Sequence, residues 1–297
     1  MVSCGDTFFV AAARARQRPK SRFERLTTPK PPAESRATYC CRCEIFKRRR
    51  AGYKSWKGIA MRIDVIHANS PASALDEARA SSIRAAGAPG TEIAIRLPHH
   101  APTSITSQYD DARAAPSVLE QVLAAAREGA DALVINCTAD TAVEAAREAV
   151  AIPVVGVSEA ALHLAAQLAD TFSVLTFADR IAARFFAMAR RLGMAHKLVS
   201  VRSVEMPLEE ITDRGRLAAD LAQVATACVR EDGAHLIILG CTDFELATLE
   251  TAAHLRRAGI EVPLLRPFAI GVRQAEMLVD LALSHSKLTY PLPRDLT

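Results

Sequence analysis

Glu128-Gly129-Ala130-Asp131-Ala132-Leu133-Val134-Ile135-Asn136-Cys137-Thr138 reads against Asp232-Gly233-Ala234-His235-Leu236-Ile237-Ile238-Leu239-Gly240-Cys241-Thr242. Each copy is an acidic residue, Gly-Ala, a short apolar run and then Cys-Thr, with the same Gly-to-Cys spacing. Such a run, bounded by turn signals, reads as a strand buried on both faces. A helical stretch follows each copy, starting just after Asp140 and Asp243, and leads through Pro153 or Pro263 into the next apolar run. An internal repeat of this kind implies two related halves. Each half presents a cysteine at the carboxyl end of a parallel strand, the edge at which open α/β sheets bind ligands.

The same alternation extends outward from the repeat. Short apolar runs lie at 62–66, 92–97, 132–136, 153–157, 172–176, 198–204, 235–239 and 262–265. Ala-rich helical stretches with Arg and Glu on one face fill most gaps, as at 140–150, 179–192, 215–231 and 244–257. Strand–helix alternation with apolar strands predicts parallel sheets covered on both faces. The fold class is therefore α/β.

Composition agrees with a globular protein. Of 297 residues, 50% are apolar and 24% charged, and no apolar stretch is long enough to span a bilayer. The net charge of +4 hides an asymmetry. Residues 1–60 carry 15 Lys and Arg against 4 Asp and Glu, leaving 22 against 29 in residues 61–297. The body is acidic, so neither a nucleic acid nor a membrane is expected as its partner. The first sixty residues lack a hydrophobic period of 2 or 3.6 and hold the basic run Lys47-Arg48-Arg49-Arg50. They read as a translation start placed too far upstream or as a disordered tail. Cys40-Cys41-Arg42-Cys43 lacks metal-ligand spacing. A clean strand opens at Met61.

Seven cysteines are present, and the three in the body, Cys137, Cys228 and Cys241, cannot pair off evenly. They read as thiols in a reducing compartment, which makes the cytoplasm the expected location. Cys228 sits mid-helix among apolar residues and reads as core. A cysteine between a strand and a helix is different. The helix N-terminus favours a thiolate, and its N–H groups can hold an enolate oxygen. Thr138 and Thr242 add hydroxyls beside the sulfurs, and Asp140 and Asp243 are placed to cap the following helices. Two such cysteines facing across a cleft suit inversion of a carbon-acid stereocentre. One thiolate removes the proton, and the opposite thiol returns one on the other face.

These residues resemble the aspartate/glutamate/hydantoin racemase superfamily, and within it the hydantoin racemase-like branch. Ile66-His67-Ala68-Asn69-Ser70 resembles the first-strand loop of that branch, and Pro102-Thr103-Ser104-Ile105 with Tyr109-Asp110 its next segment. Cys137-Thr138-Ala139-Asp140, then Pro153-Val154-Val155-Gly156-Val157-Ser158-Glu159-Ala160, is the most similar stretch. Leu239-Gly240-Cys241-Thr242 supplies the second cysteine motif, so the likeness spans Met61 to about Leu283. The resemblance implies two pseudosymmetric domains, each a mostly parallel sheet flanked by helices, with the active site in the interdomain cleft. Their bounds would be 61–157 plus about 268–290, and 158–267. It also implies racemisation of a small molecule without a cofactor or metal, and a homo-oligomer. Carried over, Cys137 and Cys241 are the acid/base pair. Asn69, Ser70, Thr138 and Thr242 are substrate ligands, with Ser104 and Thr176 as further candidates.

Two departures leave the substrate open. His67-Ala68 stands where the branch usually has Asn-Pro, and Cys241-Thr242-Asp243 is nearer the Cys-Thr-Glu of amino-acid racemases. A 5-substituted hydantoin, allantoin and an acidic amino acid all remain. Alternative readings are a one-thiol isomerase or decarboxylase of small diacids, or a non-catalytic binding relative. Among other residues, His67 reads either as a cleft-mouth group titrating near neutrality or as a loop histidine bonded to backbone. His99 and His100 read as a solvated loop. Arg180 and Arg184, one turn apart, read as a solvated helix face, the alternative being a pair that attracts an anionic substrate from a cleft-facing position.

Overall fold

A computed structural model describes residues 61–70, 77–206, 211 and 213–296, so the expectations for residues 1–60 lie outside it. Strands β1 (Met61–His67), β2 (Thr91–Arg96), β3 (Ala132–Asn136) and β4 (Val154–Gly156) form one sheet in the order β2-β1-β3-β4. Strands β5 (Phe172–Thr176), β6 (Leu198–Ser203), β7 (Ile237–Leu239) and β8 (Leu264–Leu265) form a second, ordered β6-β5-β7-β8. Every recorded pairing is parallel, and the two sheets share one topology. The pseudosymmetry expected from the repeat is thus present in the strand order.

The helices are α1 (Glu77–Arg84), α2 (Gln108–Arg127), α3 (Val143–Ala149), α4 (Val157–Leu168), α5 (Ala182–Arg191), α6 (Arg214–Arg230), α7 (Thr248–Arg257) and α8 (Pro267–Asp280). Both repeats enter their strand through a left-handed glycine, Gly129 at φ 92° and Gly233 at φ 74°. No bulkier residue takes that conformation at so little cost. Among the described residues no helix is long and apolar enough to cross a membrane.

The period of two along each strand sorts the core into layers. On one face of the first sheet, Val65 and Val134 meet Val272 and Ala275 of α8, with Val157 and Ala160 of α4. On its other face, Ile66, Leu133 and Ile135 meet Val118 and Val122 of α2 and Val143 and Ala146 of α3. In the second sheet, Leu175, Ile237 and Leu239 pack on Leu217 and Leu221 of α6. Its opposite face, with Val174 and Ile238, packs on Phe185 and Met188 of α5 and on Ala161, Leu162 and Ala165 of α4. Helix α4 therefore gives one face to each sheet, and the late helix α8 lies on the first sheet. Beyond α8, the Lys287 ammonium donates to the carbonyls of Arg147, Glu148 and Val150. Those carbonyls lie at the end of α3, where a helix lacks internal donors and a cation is favoured.

Candidate active site

The two repeats end side by side. Thr138, one residue past Cys137, donates its hydroxyl to the carbonyl of Gly240, one residue before Cys241, at 2.8 Å. Both cysteines are half-buried free thiols. Their sulfurs are near enough that a charge on Cys137 pushes the Cys241 thiol upward.

Gly240 is dictated by this junction. A Cβ there would come within 2.5 Å of the Leu175 carbonyl oxygen and 2.7 Å of Val174 Cγ1. Arg184 of α5 reaches the Cys137 side from the second half. It donates to the Ser107 carbonyl at 3.0 Å and stands 3.8 Å from Asp111, which also accepts the Thr141 hydroxyl at 2.6 Å. Arg184 is thus a mostly buried clamp, which corrects the expectation of a solvated face; the pattern of charges could not show which element its helix would meet. Arg180 is exposed, as expected.

The two aspartates do not cap the helices that follow them. After Cys137 the chain makes a turn in which Asp140 (φ 52°) and Ala142 (φ 57°) are both left-handed, and α3 begins only at Val143. Asp140 points instead at α4, where its two oxygens accept from the N–H groups of Ser158 (3.0 Å) and Glu159 (2.8 Å). Burial pushes this carboxyl up to about 7. After Cys241 comes a 3-10 segment, Thr242–Ala247, without a side-chain cap, and Asp243 pairs with Arg79 at 3.4 Å.

The delayed and tightened helix starts bear on the thiols. Burial pushes Cys137 up to about 11, opposed by the Ala139 N–H; nearby Asp111 adds to the rise and Arg184 opposes it. Cys241 is pushed up as well, by burial first and then by Asp243, against N–H groups of Asp243 and Phe244. The expectation of helix-stabilised thiolates is therefore not met: no full α-helix starts at either sulfur, and desolvation of the anion outweighs the backbone donors.

A cavity of about 90 Å³ opens beside the cysteines, lined by residues next to them, Asn136 and Thr242. The end of β1 supplies His67 and the chain just after it Asn69 and Ser70, α1 supplies Arg79, and the 3-10 segment supplies Asp243 and Glu245. Of the expected ligands, Asn69, Ser70 and Thr242 therefore meet here. Thr138 is committed to Gly240. Ser104 is half-buried and outside the cavity's lining, and Thr176 is fully buried with its hydroxyl unpartnered. His67 is a lining residue, but burial holds its ring down at about 4, so it does not titrate near neutrality. His99 and His100 are exposed.

Reading the sequence missed Arg79, Asn136 and Glu245. Asn136 had a signal, a polar residue closing an otherwise apolar strand. The other two reach the site only through the placement of α1 and the 3-10 segment. Glu245 accepts from the N–H groups of Phe268 and Ala269, and burial raises it to about 7. Among the described residues no group of three or more His, Cys, Asp or Glu is arranged to hold a metal.

Comparison with known proteins agrees with the fold and the motifs. A hydantoin racemase of Pseudomonas sp. (strain NS671) is 33% identical over 235 residues, 78% of this chain and 92% of that one. The solved allantoin racemase from Pseudomonas fluorescens superposes with a TM-score of 0.71 at 32% identity, covering 79% of this chain and 97% of that one. For the allantoin racemase from Klebsiella pneumoniae the values are 0.69, 31%, 79% and 94%. The Asp/Glu/Hydantoin racemase family profile matches residues 63–275, and the chain belongs to that family.

Proposed function

We propose that the protein racemises a 5-substituted hydantoin or the related ureide allantoin, with Cys137 and Cys241 as the two bases. The observation that carries this reading is the bond from Thr138 to the Gly240 carbonyl, which sets the two strand–cysteine ends against one another. The relatives' names, hydantoin racemase and allantoin racemase, support the substrate class. The ring's α-proton is also more acidic than that of an amino-acid carboxylate, which eases the step.

Carbon 5 of the ring lies between the sulfurs. One sulfur, as thiolate, takes the carbon-bound proton, and the electron pair moves onto the adjacent carbonyl oxygen as an enolate. The thiol opposite gives its proton to carbon 5 on the other face, and the enolate collapses. One proton enters the enzyme and one leaves, so the two sulfurs exchange roles between turnovers. Cys137 is the thiol more open to ionisation, because the Ala139 N–H and the Thr141 side chain are the main groups opposing the rise that burial gives it, while at Cys241 Asp243 adds to the rise. Asn69, Ser70 and Thr242 hold the polar edge of the ring, and the Thr242 hydroxyl donates to the developing enolate oxygen.

Proton NMR in D2O on single enantiomers of 5-methylhydantoin, allantoin, aspartate and glutamate tests this. Loss of the α-proton signal together with optical rotation is expected on the first two. Cys137→Ala and Cys241→Ala should each lower racemisation by about a thousandfold or more. Each variant should keep α-proton exchange on one enantiomer only, the opposite one in the two cases. Racemisation at the wild-type rate in both variants would refute the mechanism.

A further inference from the structure

Each sulfur has an aspartate beside it, and each aspartate is met by an arginine from the opposite sheet. Cys137 leaves β3 into a turn that the Asp140 N–H closes on the Cys137 carbonyl at 2.8 Å. Thr141 of this turn is buried, lies beside the thiol and donates its hydroxyl to Asp111 Oδ1 at 2.6 Å. Asp111 is thus one side chain away from the sulfur. Its partner is Arg184 of α5, a helix packed on the second sheet. The guanidinium is held by the Ser107 carbonyl at 3.0 Å, and the same carbonyl accepts the Asp111 N–H at 3.1 Å. Arginine and aspartate are therefore anchored at one point, with 3.8 Å between their charged groups.

The second corner has the same pairing with the sheets exchanged. Asp243 stands two residues past Cys241, and its charge pushes that thiol upward. Its partner at 3.4 Å is Arg79 of α1, the helix whose Ile83 packs in the first sheet's core. Other charges nearby are committed elsewhere. Asp110 accepts from Thr106 and Ser107, Asp140 from α4 and Glu245 from α8. Glu144 of α3 pairs with Arg191, and Arg180 is exposed. A carboxylate close to a thiol opposes its ionisation, and more strongly where water is excluded. A guanidinium paired with that carboxylate removes most of its field and stays charged at any working pH.

We propose that Arg184 and Arg79 are positioning residues that cancel the charge of the aspartate beside each sulfur, so that a helix of each sheet enables the other sheet's cysteine to act as a base. This rests on the racemase reading above.

The test follows alkylation of each cysteine in the full chain by iodoacetamide at pH 8, read by peptide mass spectrometry. Arg184→Gln should slow Cys137 about tenfold, the effect of one pKa unit, and leave Cys241 within about twofold. Arg79→Gln should slow Cys241 and leave Cys137, by a smaller factor of about three, because its pair is the more exposed and better screened. Arg184→Lys keeps the charge and should recover most of the rate. Asp111→Asn keeps an oxygen for Thr141 and should speed Cys137; added to Arg184→Gln, it should return Cys137 to about the wild-type rate. Neither cysteine slowed, both slowed alike by one variant, or a double variant as slow as Arg184→Gln overturns the proposal. If Arg184→Gln does not fold, Asp111→Asn decides, and a Cys137 rate at or below wild type overturns it. Polarimetry on allantoin should show kcat following the Cys137 rates, with KM within about twofold. A raised KM at unchanged kcat would make Arg184 a substrate ligand and also overturn the proposal. Wild-type protein that racemises neither allantoin nor 5-methylhydantoin refutes the racemase reading itself, a result distinct from unmoved thiol rates in a protein that racemises.

Discussion

The corner after β3 and the corner after β7 share a sequence pattern and differ in almost every contact. Both enter through a left-handed glycine, run as a fully buried strand and end in Cys-Thr. The residue before the cysteine is Asn136 in one and Gly240 in the other. Asn136 has room for a side chain and turns it toward His67, whereas Gly240 has none because the Leu175 carbonyl occupies that space. Past the cysteine, one corner makes a wide turn that sends Asp140 to another helix, and the other tightens into a 3-10 segment. Cys137 has Asp111 and Arg184 near it, of opposite charge, and Cys241 has Asp243. The repeat thus places two like sulfurs, and their neighbours make them unlike. Two-base inversion requires unlike partners at the start of each turnover, one proton donor and one acceptor.

The largest effect should separate the residues before the cysteines. Gly240→Ala drives a methyl onto a backbone oxygen and should cost about 3 kcal/mol or more in urea denaturation. Asn136→Ala, at the matching position, gives up a long hydrogen bond and removes an orphaned oxygen, and should cost less than about 1 kcal/mol. Equal costs would erase the contrast between the corners.

Thiol reactivity sharpens the contrast at the sulfurs. In the unliganded protein iodoacetamide should modify Cys137 before Cys241, as read by peptide mass spectrometry. Because Cys137 is raised to about 11, its thiolate fraction grows with pH, and its rate should climb about tenfold per pH unit from 7 to 10. A plateau below pH 9, or prior labelling of Cys241, would contradict the environments described.

The smallest effect lies with the two threonines. Thr138→Val removes the donor to the Gly240 carbonyl and should lower stability by about 1 kcal/mol. Thr242→Val should leave stability within about 0.5 kcal/mol and lower kcat instead, since Thr242 lines the cavity and its hydroxyl is the donor assigned to the developing enolate oxygen. The reverse pattern would exchange the roles given to these residues.

Much of the fold was legible because burial dictates it. The apolar runs at 132–136 and 172–176 coincide with β3 and β5, and the duplicated Gly-to-Cys pattern corresponds to two sheets of one strand order. Asp64 was not legible as core. It is fully buried on β1, with Arg62 at 2.8 Å and Arg96 on the neighbouring strand as partners. A charge in a strand is acceptable inside only when its counterions arrive with it, and Arg96 arrives through sheet pairing. Asp140 and Arg184 were misread for a related reason. Capping and solvation rules are local, and both side chains act on elements distant in sequence.

By itself the sequence determined the alternation of strands and helices, the duplication, and the two cysteines at corresponding strand ends. These follow from short-range periodicity and steric preference, which the chain carries residue by residue. Only the tertiary structure decided the rest: that Thr138 bonds to Gly240, that α4 serves both sheets, that burial raises both thiols, and that the Asn136 side chain meets His67 across the sheet. The physical reason is that desolvation and hydrogen-bond satisfaction depend on every element packed around a group, and those neighbours exist only once the chain has folded.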